Sequence, residues 1–487
     1  MTRRDPAVAI VGAGMSGLCV AIALLRSGIT DVTIYEKADE VGGTWRDNTY
    51  PGLTCDVPSR VYQYTFATNP NWTHLFSPGG EIQAYFQGIA DQFALRDRIR
   101  FGTEIVSARF TEGRWIVRTN VGTESTVDFL ISATGVLHHP RMPSIAGLDD
   151  FEGHVFHSAR WDHSVELQRR RIAVIGNGST GIQLVCGLAG AAGKVILFQR
   201  TAQWVVRMPN PRYSRFTSIT HQAVPWLDRL AYRAYSFFFD LFAVALTKPG
   251  LRRKVMGALC RASLRKVRDP ELRAALTPDY QPMCKRLVIS GGFYHAIQRD
   301  DVGLVSAGID HVERRGIVTD DGVLHEVDII VLATGFDTHA FFRPMELTGR
   351  DGIAANDVWR DGPWAHQTVA LPGFPNFFMM LGPHSPVGNL ALTTVAETQS
   401  DHIVRWIERW RRGEFDTVEP TMSATESFNA KLRAAMPDTV WTTGCDSWYL
   451  NKDGVPEVWP FTPSKHRAML AHMDPGQYNL RRHVAAH

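Results

Sequence analysis

Two turns of this chain carry the glycine spacing that lets a backbone approach a phosphate group closely. Each turn follows a short apolar run, typical of a strand buried on both faces of a sheet, and precedes a helical stretch. In that order of strand, turn and helix, a pyrophosphate can bind at the helix N-terminus, so the sequence predicts two dinucleotide sites. The turn residues are Gly12, Gly14, Ser16 and Gly17 in the first site, and Gly176, Gly178, Ser179, Thr180 and Gly181 in the second.

The two sites end in residues of opposite charge. Glu36 stands nineteen residues after Gly17, and Arg200 stands nineteen residues after Gly181. A carboxylate at this position accepts hydrogen bonds from ribose hydroxyls, whereas an arginine can pair with a 2′-phosphate. We therefore predict that the first site binds FAD, with Lys37 beside Glu36, and that the second binds NADPH rather than NADH. A surface arginine without a phosphate partner is the alternative for Arg200.

FAD and NADPH sites in one chain imply that a hydride passes from nicotinamide to flavin, and the next electron acceptor decides the class of enzyme. A disulfide reductase needs a close cysteine pair soon after the first βαβ unit, where Cys55 stands alone. The six cysteines are scattered without CxxC spacing, so we predict neither a metal site nor a disulfide framework. This usage fits a protein of the reducing cytosol. Molecular oxygen is then the remaining common acceptor.

Two longer motifs give the chain a resemblance to a known family. Residues 42–56 match the pattern GGxWxxxxYPGxxxD, and residues 151–162 match FxGxxxHxxxW followed by Asp. With the paired glycine turns, these motifs make the chain resemble the class B flavoprotein monooxygenases, and within them the type I Baeyer–Villiger monooxygenases, over nearly its whole length. Trp161 favours the Baeyer–Villiger branch, because related N- and S-oxygenating enzymes usually carry Tyr or Phe there.

The resemblance implies an FAD-containing, NADPH- and O2-dependent enzyme that converts a ketone into an ester or lactone through a C4a-peroxyflavin. It implies that Arg286 is a mobile catalytic arginine, oriented by Asp56 beside the flavin. A guanidinium there can stabilise both the anionic peroxide and the alkoxide that follows. The alternatives are a flavin-dependent S- or N-oxygenase and, less favoured, an uncoupled NADPH oxidase or a flavoprotein sensor.

The same resemblance assigns further residues to the cofactors and to a linker between domains. His157 is expected to belong to that linker, although it could instead be a catalytic acid or base. Trp448 could lie in a loop near the substrate or in the core, and the flavin-lining aromatics could be ordinary core residues. The residues expected at the cofactors are Gly43, Thr44, Trp45, Tyr50, Asp56, Tyr62, Thr201, Lys285 and Arg286, and those of the linker are Phe151, Gly153, His157, Trp161 and Asp162.

The elements that must position these residues indicate an α/β fold with two Rossmann-like dinucleotide-binding domains. Apolar runs ending in Ala-Thr-Gly at residues 133–135 and 333–335 mark the domain borders. We predict a discontinuous FAD-binding domain, residues 1–140 and 330–487, with an NADPH-binding domain, residues 141–329, between its two parts. Helical spacing of apolar residues predicts a helical insertion at residues 212–280 of the second domain.

Charge and composition limit the possible partners. The chain of 487 residues has 52 Lys and Arg and 49 Asp and Glu, a net charge of 52 − 49 = +3, which disfavours nucleic acid as a partner. Residues 1–6 lack the pattern of a secretory signal, so we expect a cytoplasmic enzyme that acts on a small ketone. Charged residues interrupt the apolar helical insertion, so we predict no transmembrane span; peripheral membrane contact is an alternative to a packed insertion.

Overall fold

The apolar runs that precede the two glycine turns form strands of two five-stranded sheets in the computed structural model, which describes residues 4–224, 226–388 and 390–482. The N-terminal strands are β1 (Val8–Val11), β2 (Val32–Tyr35), β3 (Ile99–Arg100), β4 (Ile105–Thr111), β5 (Arg114–Thr119), β6 (Glu124–Val127) and β7 (Phe129–Ser132). The middle strands are β8 (His154–His157), β9 (Arg171–Ile175), β10 (Lys194–Phe198), β11 (Val205–Val206), β12 (Val288–Ile289), β13 (Val302–Val305), β14 (Ile309–Glu313), β15 (Gly316–Thr319), β16 (Leu324–Glu326) and β17 (Ile329–Leu332). The C-terminal strands are β18 (Glu346–Thr348), β19 (Phe377–Met379), β20 (Thr417–Pro420) and β21 (Tyr478–Arg481).

The helices pack on the faces of these sheets and between them. In the first half of the chain they are α1 (Met15–Arg26), α2 (Thr44–Asp47), α3 (Gly79–Gln92), α4 (Ser179–Leu188), α5 (Arg215–Ala223) and α6 (Trp226–Thr247). In the second half they are α7 (Leu251–Leu264), α8 (Pro270–Ala275), α9 (Phe293–Ala296), α10 (Ala355–Val358), α11 (Leu392–Arg411), α12 (Met422–Ala435) and α13 (Pro463–Ala471).

The first sheet has the strand order β19-β7-β1-β2-β3, and all its neighbouring strands are parallel. Three of the four residues of β1 are buried, as expected for an apolar β-branched run in a parallel sheet covered on both faces. Helix α1 follows β1 through the first glycine turn and packs against α11 from the far end of the chain. Because β19 also comes from the C-terminal part, the first sheet combines two separate segments of the sequence.

The second sheet has the order β13-β10-β9-β17-β8 and is also parallel. Its strand β17 pairs with both β9 and β8, so the chain leaves this sheet only after Leu332. The border that we predicted between residues 329 and 330 therefore falls inside a strand. The α/β class with two Rossmann-like units is confirmed.

The predicted helical insertion contains α5, α6, α7 and α8. Only the C-terminal end of α6 is continuously buried, at Ala245, Leu246 and Thr247. Among the described residues, α6 is the helix with the length and composition that could cross a membrane. Its buried end packs against the C-terminal loop around Trp441 and Tyr449, so this insertion contacts the C-terminal part of the chain.

Candidate active site

The first glycine turn brings a helix into direct contact with a strand. A Cβ atom on Gly17 would lie 1.9 Å from the carbonyl oxygen of Gly12, so no larger residue fits without moving the backbone. The second turn repeats this approach, because a Cβ on Gly181 would lie 1.9 Å from the carbonyl oxygen of Gly176. Each turn therefore presents the N-terminus of its helix, α1 or α4, to a phosphate.

Glu36 is buried at the end of β2 and lies against the first turn. One carboxylate oxygen accepts hydrogen bonds from the backbone N–H of Ala38 and from Arg46, each at 3.0 Å. The other oxygen accepts from the backbone N–H of Ala13 at 2.8 Å. This second oxygen keeps acceptor capacity for a ribose hydroxyl, so the residues present fit the adenosine end of FAD. Sequence reasoning missed Arg46, which holds Glu36 in place.

A cavity of about 510 Å³ runs from the first turn to the second. It is lined by elements of both sheets, including the Thr134 and Thr334 positions of the two Ala-Thr-Gly segments. Among the predicted site residues, the cavity wall includes Gly12, Gly14, Ser16, Glu36, Lys37, Gly43, Thr44, Trp45, Tyr50, Asp56, Tyr62, Gly178, Ser179, Thr180 and Arg286. Gly17, Gly176 and Gly181 lie behind it, in the contacts between helix and strand.

Aromatic residues of the GGxWxxxxYPGxxxD segment line this cavity and join the two halves of the molecule. The indole N–H of Trp45 donates to the hydroxyl of Tyr62 at 3.0 Å. The hydroxyl of Tyr50 donates to Gln183 of α4 at 2.8 Å, and burial raises the pKa of Tyr50 to about 12, so the phenol stays neutral. The first segment is thereby hydrogen-bonded to the helix that follows the second turn.

Arg286 and Asp56 form an ion pair in the cavity wall. Nη2 of Arg286 donates to Oδ2 of Asp56 at 2.7 Å and to Oδ1 at 2.9 Å, while Nε donates to Oδ2 at 3.2 Å. The adjacent carboxylate raises the pKa of Arg286, so the guanidinium remains charged. The hydroxyl of Tyr449 lies beside Arg286, since a Cβ on Gly388 would lie 2.5 Å from this hydroxyl and 3.6 Å from Nη1 of Arg286. Burial raises the pKa of Tyr449, so the phenol stays neutral. Sequence reasoning placed the loop of Tyr449 near the substrate but missed this contact.

The residues predicted at the NADPH phosphate gather at an exposed edge next to β10. Nζ of Lys285 donates to Oγ1 of Thr201 at 3.1 Å, and Nη2 of Arg200 lies 3.3 Å from Oδ2 of Asp446. The pKa of Lys285 is lowered, first by burial and also by the charge of Arg200. Lys285 at the Thr201 hydroxyl and the nearby charge of Arg200 fit a doubly charged 2′-phosphate, which would relieve the repulsion between the two cations.

The residues of the predicted linker lie outside the cavity wall. Nε2 of His157 lies 3.1 Å from the carbonyl oxygen of Gly335, and its Nδ1 accepts from the backbone N–H of Ala159 at 3.1 Å. Burial lowers the pKa of His157, so the neutral imidazole connects β8 to the segment that follows β17. Trp161 packs edge-on against Phe156, with ring centroids 5.0 Å apart. These contacts favour the linker role over acid–base chemistry.

The other linker residues have local structural roles. Phe151 is buried, and a Cβ on Gly153 would lie 2.5 Å from the Phe151 ring and 2.3 Å from the carbonyl oxygen of Asp328. Asp162 accepts hydrogen bonds from the backbone N–H and the hydroxyl of Ser164.

Two of the six cysteines contradict the prediction made from their spacing. Cys284 and Cys445 form a disulfide, with Cα atoms 6.1 Å apart, whereas the other four are free. The prediction was wrong because the partners lie 161 residues apart in sequence, so local spacing carried no signal of the pairing. The disulfide joins the residue before Lys285 to the loop that carries Asp446 and Tyr449.

Comparisons with known proteins agree with this geometry. A family model described as flavin-binding monooxygenase-like matches residues 5–346. An uncharacterized monooxygenase of Mycobacterium tuberculosis is 76% identical over 485 residues, covering 100% of this chain and 98% of the relative. A Baeyer–Villiger monooxygenase of Streptomyces coelicolor is 37% identical, covering 98% and 93%. The crystal structure of cyclohexanone monooxygenase from Rhodococcus sp. Phi1 bound to NADP+ is similar with a TM-score of 0.88 at 28% identity, covering 98% of this chain and 99% of that chain.

Proposed function

This chain belongs to the flavin-binding monooxygenase-like family, and we propose that it is a Baeyer–Villiger monooxygenase that inserts one oxygen atom next to a ketone carbonyl. It is an NADPH-dependent flavin monooxygenase that uses FAD and O2, as the two motifs and the paired turns predicted. The observation that carries the finer assignment is the ion pair of Arg286 with Asp56 in the wall of a cavity that both glycine turns also line.

The two cofactors have distinct places in this proposal. Glu36 and the helix N-terminus at Ser16 hold the adenosine and pyrophosphate of FAD, while Arg200, Thr201 and Lys285 hold the 2′-phosphate of NADPH. When bound, FAD reduced by NADPH supplies the activated oxygen that is transferred to the substrate.

Arg286 stabilises the negative charge that develops on the carbonyl oxygen of the ketone. Its guanidinium is permanently charged, and Asp56 holds it in one orientation through three short contacts. A donor fixed in this way needs no reorganisation when the charge appears, which is why such groups lower the barrier strongly. The partner carboxylate also balances the charge of a guanidinium that has lost most of its water.

The ketone itself is proposed to lie against an apolar wall next to Arg286. A Cβ on Gly388 would lie 3.6 Å from Nη1 of Arg286, which places this segment beside the guanidinium. Leu381, Val387 and Trp448 line the same cavity. An apolar wall that excludes water strengthens the interaction between the guanidinium and the developing oxyanion.

Product analysis tests this function directly. The purified enzyme is incubated with NADPH, O2 and a panel of linear, cyclic and aromatic ketones, together with sulfides and amines. We expect esters or lactones from at least one class of ketone. Formation of sulfoxides or N-oxides without any ester would instead assign the chain to the heteroatom oxygenases, and hydrogen peroxide as the sole product would make it an NADPH oxidase.

Substitution of the arginine tests the residue that carries the proposal. Arg286→Ala is expected to lower the rate of ester formation at least about 100-fold, since removal of one preorganised donor to an oxyanion costs that much in other enzymes. Arg286→Lys keeps the charge but loses the paired donors, so it is expected to retain intermediate activity. FAD content, measured by absorbance, serves as the control for folding, and an unchanged ester yield in Arg286→Ala would remove this residue from the mechanism.

A further inference from the structure

Helices α5, α6 and α7 expose a surface that the proposed reaction does not use. Nine large apolar side chains on these helices are between 49% and 77% exposed, and they are half of all such side chains in the described residues. They are Phe216 and Ile219 of α5, Trp226, Leu230, Phe237 and Phe238 of α6, and Leu251, Val255 and Leu259 of α7. We call these nine residues the apolar face. Apolar exposure on this scale marks an interaction site.

The exposed residues of α6 form one continuous stripe along the helix. The spacing of these exposed residues alternates between three positions and one, which follows the helical period. They stand at positions 226, 229, 230, 233, 234, 237 and 238. Arg229 and Arg233 lie in the stripe among the aromatic and aliphatic residues. Helix α6 packs against both α5 and α7, so the exposed residues of all three helices belong to one helical unit.

The charge of this segment is strongly one-sided. Residues 215–264 contain eight Lys and Arg and two Asp, a net charge of 8 − 2 = +6, although the whole chain has only +3. The two acids are engaged elsewhere. Asp228 is buried and accepts from Arg60 at 2.8 Å, and Asp240 accepts from the backbone N–H of Ser464 at 3.1 Å. The exposed cations are therefore not balanced by acids within the segment.

The opposite side of α6 is fixed to the protein. Asp228 also accepts from His221 at 2.7 Å, the Tyr232 hydroxyl lies 3.0 Å from the hydroxyl of Thr394, and the C-terminal end of α6 is buried. A helix held along one side cannot leave the protein to cross a bilayer. Only the stripe of apolar and cationic residues is free to contact a surface.

We propose that the apolar face and its surrounding cations bind the surface of a membrane that contains anionic lipids, with α6 lying in the plane of the interface. Phe and Trp side chains insert at the boundary between headgroups and acyl chains, and long basic side chains extend to the phosphates. Self-association is a poorer fit, because a two-fold interface would place this cationic face against itself.

Flotation of the FAD-loaded, full-length protein with lipid vesicles tests this proposal. Phosphatidylcholine vesicles are compared with vesicles that also contain phosphatidylglycerol. Binding to the anionic vesicles is expected to be about tenfold stronger, since each exposed cation is attracted to the anionic surface. It is expected to weaken when the salt is raised from about 0.1 M to about 0.5 M, because salt screens this attraction. Equal binding to both vesicles, or binding to neither, would overturn the proposal.

Two variants and a control identify the surface. Phe237→Ser combined with Phe238→Ser is expected to lower partitioning to anionic vesicles about tenfold or more, and Arg229→Gln combined with Arg233→Gln to lower it mainly at low salt. Val121→Ser removes a comparably exposed apolar residue elsewhere and should leave partitioning unchanged. Thermal melting verifies that each variant is folded. Unchanged partitioning of the Phe variant would contradict the proposal, as would a dimer in sedimentation velocity that dissociates in this variant.

Discussion

Arg286 lies between a carboxylate and a phenol hydroxyl, and the two partners come from distant parts of the sequence. Asp56 belongs to the segment after the first βαβ unit, whereas Tyr449 belongs to a loop near the C-terminus. Asp56 could be predicted because it ends a motif of fixed spacing. Tyr449 could not be predicted as a partner, because only the folded chain brings its hydroxyl to the guanidinium. At the residue scale, motifs therefore predicted the charged pair but not the neutral hydroxyl that lies beside it.

We expect Tyr449→Phe to reduce ester formation about tenfold while leaving FAD bound. The substitution removes the hydroxyl beside the guanidinium and leaves Arg286 less restrained, and a hydroxyl that accepts from a charged donor contributes about 1.5–3 kcal/mol. The ratio of ester formed to NADPH consumed is the decisive measurement. If the guanidinium is out of position, NADPH should still be oxidised but less ester should form. Tyr478→Phe, which changes a buried tyrosine in another core cluster, is the matched control. An unchanged ratio in Tyr449→Phe would show that Asp56 alone positions Arg286.

At the scale of elements, local patterns predicted the two βαβ units and the helical insertion, while long-range contacts escaped prediction. An apolar run before a glycine turn can be predicted as a strand from the neighbouring residues alone, as β1 and β9 show. The border strand β17 has an equally clear pattern, but its membership in the second sheet depends on pairing with β8 and β9. The disulfide of Cys284 with Cys445 likewise depends on the approach of two loops.

That disulfide is expected to hold the C-terminal loop against the segment of Arg286. Cys284→Ser combined with Cys445→Ser should lower the free energy of unfolding by about 2–4 kcal/mol, the typical contribution of a disulfide, and lower the ratio of ester to NADPH because Tyr449 is less restrained. Cys186→Ser replaces a free cysteine and is the control. Thiol titration of the denatured, unreduced enzyme should find four free cysteines. Six free thiols would mean that the pair is reduced in the purified protein.

At the scale of the whole molecule, charge and titratable groups are distributed unevenly. Residues 215–264 carry a net charge of +6, so the rest of the chain carries 3 − 6 = −3. The near-neutral total charge does not reveal this uneven distribution. Three of the four histidines that are buried in the described residues, His366, His402 and His466, lie in the C-terminal part, and the fourth is His157. Neither distribution follows from composition, because the charge distribution depends on the order of the residues and the burial of the histidines depends on the fold.

The buried histidines predict that the enzyme loses stability as the pH falls below about 6.5. Burial lowers the pKa of His366, His384 and His402 from 6.5 to about 4 and that of His466 to about 3. Between pH 6.5 and about 4 the unfolded chain therefore binds more protons at these sites than the folded chain. Their contribution to stability is fully present above pH 6.5 and is lost as the pH falls through this window.

Buried acids act in the opposite direction, and Glu397 supplies the test. Burial raises the pKa of Glu397 from 4.5 to about 7, so between these values the folded state binds the additional proton and gains stability as the pH falls. Burial also lowers the pKa of His138 to about 4 and lowers that of His157, and it raises the pKa of Asp401 and Glu419. Since six such histidines oppose three such acids, the melting temperature should fall from pH 7 to pH 5. Glu397→Gln should make that fall steeper, and His402→Gln should make it shallower. The corresponding change in the free energy of unfolding is about 1.4 kcal/mol per pH unit at most in each case. A melting temperature that is constant or rises toward pH 5 would show that these histidines are protonated in the folded enzyme.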